Sequence, residues 1–143
     1  MKKNNNLTED ATPTPDFLIK SIAEQGYSFE TAVSDLMDNS IAAEANGVEL
    51  LLDPKSNPLK MYLADNGLGM DKSTLQKAVQ FPSASPEAKR PRKDLGRFGL
   101  GLKTASFSQT RCFTILSRKK GEKTFRGRTW DVEFQKKHKW KVI

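Results

Sequence analysis

The sequence predicts an α+β sandwich in which helices pack on one face of a mixed, mainly antiparallel sheet. Phe29, Ala32, Val33, Leu36, Met37 and Ile41 recur at helical spacing. Two short apolar runs, Val48 to Asp53 and Leu59 to Asp65, flank the turn-rich Pro54-Lys-Ser-Asn-Pro58 as a hairpin would. The order helix, hairpin, helix, loop, helix, strands then calls for helices layered on a sheet.

Residues 1–15 are polar and contain Pro13 and Pro15, which reads as a flexible leader before a single domain over residues 16–143. Asp16 is expected to cap a helix over Phe17 to Gln25, which Gly26 ends. Ser28 can cap the second helix, and Asn46-Gly47 marks its end. After the hairpin, Asp71 or Ser73 can cap a short helix running through Val79. From Phe81 to Asp94 there are three prolines and no periodicity, so a long loop is expected. Leu100 to Ser108 suits a further helix, and Arg111 to Arg118 and Lys123 to Phe134 read as strands around Gly121. No internal repeat is visible.

The chain has 143 residues, 36% of them hydrophobic, enough for one domain with a real core. A net charge of +7 and a pI near 9.6 favour polyanionic partners without choosing among nucleotide, nucleic acid and anionic lipid. The single cysteine, Cys112, leaves no internal disulfide framework. No stretch approaches the roughly 20 apolar residues of a spanning helix, and Met1-Lys-Lys-Asn-Asn-Asn6 lacks a signal-peptide core. A cytoplasmic protein with no membrane partner is the expectation.

Three segments carry candidate chemistry. Asp35 and Asn39 are one helical turn apart and share a stripe with Ala42 and Asn46 beside the apolar arc. A carboxylate there can take a proton from an attacking water, and an amide oxygen one turn on can join the oxygen shell of Mg²⁺. Taken alone, such a pair is more often a solvated polar helix face. Asp65-Asn-Gly-Leu-Gly-Met70 puts a carboxylate at a strand end, where it can accept from an adenine amino group. Gly67 and Gly69 there allow close backbone approach to a ligand, although Asn-Gly is also a common turn. Gly96-Arg-Phe-Gly-Leu-Gly-Leu-Lys-Thr104 is a glycine-rich entry to a helix, whose N–H groups and dipole suit phosphate. Leu102 follows Gly101 where a P-loop has lysine, which excludes that motif.

In this order the three segments resemble the GHKL ATPases, the group that includes gyrase, the large heat-shock chaperone, histidine kinases and the microrchidia proteins. The resemblance spans roughly residues 16–117. Asp38-Asn-Ser-Ile-Ala-Ala43 and Gly96 to Ser106 look most like bacterial microrchidia (MORC)-type ATPases. It implies the Bergerat two-layer sandwich, with ATP and Mg²⁺ as cofactors. By that resemblance Asp35 is the general base and Asn39 the Mg²⁺ ligand. Asp65 is the adenine contact, and Ala43, Gly67, Gly69 and Met70 lie at the ATP site. Gly96, Arg97, Phe98, Gly99, Leu100, Gly101, Leu102, Lys103 and Thr104 grip the phosphates, and residues 82–95 form an ATP lid. Thr114 is the candidate for a threonine that backs adenine from a later strand.

Two departures bear on catalysis. Asp35 stands where the family has glutamate, one methylene longer, so slow or absent hydrolysis is expected. Ala42 replaces an aspartate that often follows the asparagine by three residues. The leading reading is therefore Mg²⁺-dependent ATP binding with slow hydrolysis, coupled to lid closure and protein association, including an ATP-dependent homodimer. The alternative is an ATP-gated binding module that does not hydrolyse. A histidine kinase catalytic domain is disfavoured, because no histidine lies on an expected helix and the acid-bearing helix resembles the ATPase branch instead. Lys89, Arg90, Arg92, Lys93 and Arg97, together with Arg118 to Lys120 and Lys136 to Lys141, suggest DNA as a further partner, although charge runs are usually solvated. Trp130 and Trp140 interleave the C-terminal cations, with core packing the favoured use for Trp130. Resembling proteins continue past the equivalent of Ile143, so the chain is expected to be an N-terminal fragment.

Overall fold

The computed structural model describes residues 11–81 and 100–143. Their elements run α1 (Pro15–Ala23), α2 (Phe29–Ala42), β1 (Val48–Asp53), β2 (Lys60–Asp65), α3 (Lys72–Val79), α4 (Gly101–Gln109), β3 (Cys112–Ser117), β4 (Arg126–Asp131) and α5 (Val132–His138). The α+β architecture is as the sequence predicts. Among the described residues the strands pair as two antiparallel hairpins, β1 with β2 and β3 with β4. The loop 82–95 and Gly96, Arg97, Phe98 and Gly99 lie outside the described residues.

The helices start where side-chain oxygens meet their free N–H groups. Ser28 accepts from Thr31 N–H at 3.2 Å and starts α2. Asp71 accepts from Thr74 N–H at 2.9 Å and starts α3, and each such cap is worth about 1 kcal/mol. Asp71 also pairs with Lys119 at 3.1 Å, and the Thr74 N–H followed by Lys119 holds its carboxyl well below the usual range. The first helix differs from expectation. It begins at Pro15, with Thr14 at the cap position and Asp16 inside the first turn, because proline's fixed φ and missing N–H suit the helix start. The second helix stops at Ala42, before Asn46-Gly47, where Glu44 turns left-handed at φ 61°.

The core joins Ile19 of α1, Leu75 and Val79 of α3, Phe107 of α4, Trp130 of β4 and Val132 of α5. Trp130 is 2% exposed, donates its Nε1–H to Val79 O at 3.1 Å and meets Phe107 edge to face at 5.5 Å. Phe81 touches both Trp130 and Trp140, edge to face at 5.3 Å each. Both tryptophans thus pack against Phe81, and Trp130 has no face left for stacking on a base. Helix α4 is central, packed on α1 and α2, while α3 lies on β4. The β1–β2 hairpin contributes little to this core and leaves Leu50, Leu51, Leu52 and Tyr62 exposed.

A further element departs from the sequence reading: the expected strand Lys123 to Phe134 splits into β4 and helix α5. Asp131 ends the strand and accepts from the N–H groups of Glu133 and Phe134 at 2.9 and 3.2 Å. Glu133 in the first turn and Lys136, Lys137 and His138 in the last complement the helix dipole. Among the described residues no helix is long and apolar enough to cross a membrane.

Candidate functional site

The polar stripe of α2 meets the loop after β2 at the carboxyl end of the helix. Ser40, 3% exposed, donates its hydroxyl to Asp65 Oδ2 at 3.2 Å. Asp65 Oδ1 accepts the Gly67 N–H at 2.9 Å. Each carboxylate oxygen has two lone pairs, so the Asp65 carboxylate is fixed at both ends and keeps acceptor capacity for an amino group.

The following residues wrap the end of α2. Leu68 N–H donates to Ala43 O at 2.8 Å, satisfying a helix-end carbonyl. Asn66 Oδ1 accepts from the N–H groups of Asn46 and Gly47 at 3.0 Å each, and its amide donates to Asn46 Oδ1 at 2.6 Å. The glycines serve this docking. A Cβ on Gly67 would lie 2.6 Å from Ala43 O, and one on Gly69 would lie 2.0 Å from Arg118 O. Gly69 also has φ +63°, the left-handed region that glycine occupies at least cost. The sequence reading reserved this space for a ligand, whereas both missing side chains make room for the protein's own carbonyls. Met70 N–H donates to the buried Ser117 Oγ at 2.8 Å, and Lys120 N–H to Leu68 O at 2.7 Å. These bonds tie the loop to the end of β3.

One and a half turns back along α2, Asp35 is half-buried and its Oδ2 accepts the Tyr27 hydroxyl at 2.8 Å. That bond, with burial, pushes the Tyr27 phenol above its ordinary pKa. The exposed Asn39 donates one Nδ2–H to the Asp35 backbone carbonyl at 2.9 Å, and among the described residues nothing donates to its oxygen. An amide oxygen on an exposed side chain fits Mg²⁺, which prefers oxygen and takes most of its six positions from phosphate and water. Among the described residues no group of three or more His, Cys, Asp or Glu side chains could hold a metal by itself.

The third segment divides. Among the described residues, a Cβ on Gly101 in the first turn of α4 would meet nothing within 4 Å. Leu100 precedes the helix as its cap residue, and Leu100, Gly101 and Leu102 are partly buried. Lys103 and Thr104 turn inward, at 1% and 7% exposure. Lys103 shares the Phe107 stripe, and its ammonium donates to Ala78 O at 2.7 Å near the end of α3, 5.9 Å from the Phe81 ring centre. Burial depresses its pKa to about 8. The structure therefore directs the Lys103 ammonium to the end of α3.

Thr114 is not brought to this site. On β3, Phe113, Ile115 and Ser117 face inward, while Cys112, Thr114 and Leu116 alternate outward. Thr114 shares a 2.8 Å hydroxyl contact with Thr129 across the ladder. The inward hydroxyl is that of Ser117, three residues on.

Sequence reasoning missed Tyr27, Ser40, Asn66 and Ser117. Ser40 directly follows Asn39, and the alternation from Phe113 singles out Ser117, so both left a signal. Tyr27 left none, because its partner is eight residues away across a turn. A cavity of about 480 Å³ beside Asp65 is lined by Gly47, Val48, Glu49, Ala64, Asp65 and Asn66. Another of about 560 Å³, lined by Val79, Phe81, Arg128, Trp130, Trp140 and others, holds none of the candidate residues.

Comparison with known proteins identifies the family. The family model described as histidine kinase-, DNA gyrase B-, and HSP90-like ATPase matches residues 27–143. The chain is 25% identical to the mouse ATPase MORC2B over 125 residues, covering 84% of this chain and 12% of that protein. It is 31% identical to the Caenorhabditis elegans ATPase morc-1 over 91 residues, covering 64% of this chain and 10% of that protein. The chain thus spans about a tenth of the length of these relatives.

Proposed function

The chain belongs to the histidine kinase-, DNA gyrase B- and HSP90-like ATPase family, and from that premise we propose that it binds Mg²⁺-ATP and hydrolyses it slowly. The observation that carries the reading is the docking of the Asn39 helix onto the Asp65 loop through Ser40–Asp65 and Leu68–Ala43. It unites two of the three motif segments in one polar corner.

In this reading Asp65 accepts from the adenine amino group, beside Ala43, Gly67, Gly69 and Met70. Asn39 offers its amide oxygen to Mg²⁺. When bound, the ion neutralises charge on the phosphates. Gly96 to Gly101, with Leu102, border the phosphate end, and Asp35 takes the proton of the attacking water. Catalysis rests on positioning and charge complementarity. Residues 82–95 act as the lid whose state is coupled to association, including homodimerisation, and the basic C-terminal region offers a surface to DNA. A cytoplasmic setting belongs to the same proposal.

The decisive experiment is calorimetric ATP titration with and without Mg²⁺ on the wild-type chain, Asn39→Ala and Asp65→Asn. The expected result is a Mg²⁺-dependent affinity that Asn39→Ala lowers chiefly in the presence of the ion and Asp65→Asn lowers in both conditions. Unchanged affinity in both variants would refute the site.

A second reading, an ATP-gated module without turnover, is favoured by the short Asp35 side chain. Phosphate release no higher than that of an Asp35→Ala control would select it.

A further inference from the structure

We propose that Tyr27 is the positioning residue for Asp35, aiming the short carboxylate that replaces the family's glutamate. The proposal rests on the hydrolytic reading above. Its basis is the 2.8 Å bond from the Tyr27 hydroxyl to Asp35 Oδ2, made from outside the helix that carries Asp35.

The Tyr27 backbone is held by its neighbours. Gly26, at φ +78°, turns the chain after α1. Ser28 caps α2 on the other side of Tyr27 and so fixes where the helix begins relative to it. The Tyr27 carbonyl accepts from Gln109 Nε2 at 3.4 Å, at the far end of the α4 helix that packs on α2. Tyr27 is therefore positioned by both helices that border the site, and its hydroxyl holds one oxygen of Asp35.

This arrangement answers the difficulty set by the missing methylene. An unrestrained aspartate divides its time among about three staggered χ1 wells and a broad χ2 range, and a general base is effective only when an oxygen lies within hydrogen-bond reach of the water. By engaging Oδ2, Tyr27 selects one orientation and leaves Oδ1 as the acceptor. A donor also stabilises the carboxylate and weakens it as a base. The orientational gain is the larger effect here, because small misplacements of a catalytic group cost up to about a hundredfold in rate. Phenylalanine would keep the ring and remove only the aim.

The test uses the intact chain with Mg²⁺-ATP, comparing wild type, Tyr27→Phe, Asp35→Asn and the double variant for phosphate release and for calorimetric nucleotide affinity. Tyr27→Phe is expected to lower kcat about tenfold with affinity unchanged. The double variant is expected to be no slower than Asp35→Asn alone, because residues acting as a unit are not additive. A contact readout independent of turnover comes from ultraviolet titration of the phenol in a Tyr62→Phe background, where Tyr27 is the remaining tyrosine. There, Asp35→Asn is expected to bring the Tyr27 ionisation down toward its ordinary value. Wild-type turnover in Tyr27→Phe overturns the proposal, as do parallel loss of affinity, a double variant slower than Asp35→Asn, and an unmoved phenol titration. Turnover in the wild-type chain no higher than in Asp35→Asn refutes the hydrolytic reading itself, and this proposal with it.

Discussion

Replacing Gly69 with alanine separates two explanations for the glycines of the Asp65 loop. The new Cβ would sit 2.0 Å from Arg118 O and 2.8 Å from Arg118 C, whereas ordinary contact begins near 3.4 Å, so the carbonyl must retreat by about 1.4 Å. It is not free to do so. Lys120 N–H is bonded to Leu68 O at 2.7 Å and Met70 N–H to Ser117 Oγ at 2.8 Å, one on each side of the clash. Losing both bonds costs about 2 kcal/mol, and the left-handed φ of +63° adds about 1–2 kcal/mol for a residue with a Cβ. The expected destabilisation is therefore about 3–4 kcal/mol, a large share of the 5–15 kcal/mol typical of a domain. Urea unfolding followed by fluorescence of the buried Trp130 would measure it. Gly127→Ala is the control, because its Cβ would make ordinary contacts, with Leu116 Cδ1 at 3.7 Å and Ile115 O at 3.9 Å. If Gly69→Ala unfolded like wild type and lost only ATP affinity, the glycine would be reserved for the ligand and the backbone argument would be wrong.

Two further outcomes are expected. Lys103 has a pKa of about 8 in the folded chain against 10.5 for the free side chain. Between those values the unfolded state binds more protons, so this residue makes stability rise with pH across roughly pH 8–10.5. Relative to Lys103→Met, the wild-type chain should gain about 2–3 kcal/mol over that window by urea titration, and parallel pH profiles would show that the ammonium is not buried as described. Ser40→Ala removes one of the two donors that fix Asp65 and should weaken ATP binding by about tenfold, as expected for the loss of a hydrogen bond to a charged group. Calorimetry with undiminished affinity would show that Ser40 does not orient the carboxylate.

Local features made much of the fold legible. The helical course of α2, the Ser28 and Asp71 caps and the hairpin around Pro54 to Pro58 each depend on residues a few positions apart and occur as expected. The α2 apolar stripe, by contrast, was expected to pack in the core, but buries only Ala32 and leaves Phe29, Met37 and Ile41 exposed. Helix α5 was hidden because Val132 and Phe134 extend the apolar pattern of β4 by alternation. Short apolar runs do not distinguish strand from helix by periodicity. Asp131, Glu133 and the cations that follow them were the available signal. In the candidate site, Asp35, Asn39 and Asp65 stood out because they fall at defined places in ordered motifs. Their supports Tyr27, Ser40 and Ser117 matter through contacts that cross turns and elements.

By itself the sequence determined the family, through three motifs in a fixed order, and the elements that carry them, through periodicity and capping. Tertiary structure alone decided the direction of particular groups. Gly67 and Gly69 face the carbonyls of Ala43 and Arg118, Lys103 turns to Ala78, and Thr114 faces outward while Ser117 faces in. The physical reason is range. Backbone periodicity and caps are set by neighbours within a turn, whereas a side chain's partner is set by which distant carbonyl or carboxylate the packed chain brings within about 3 Å.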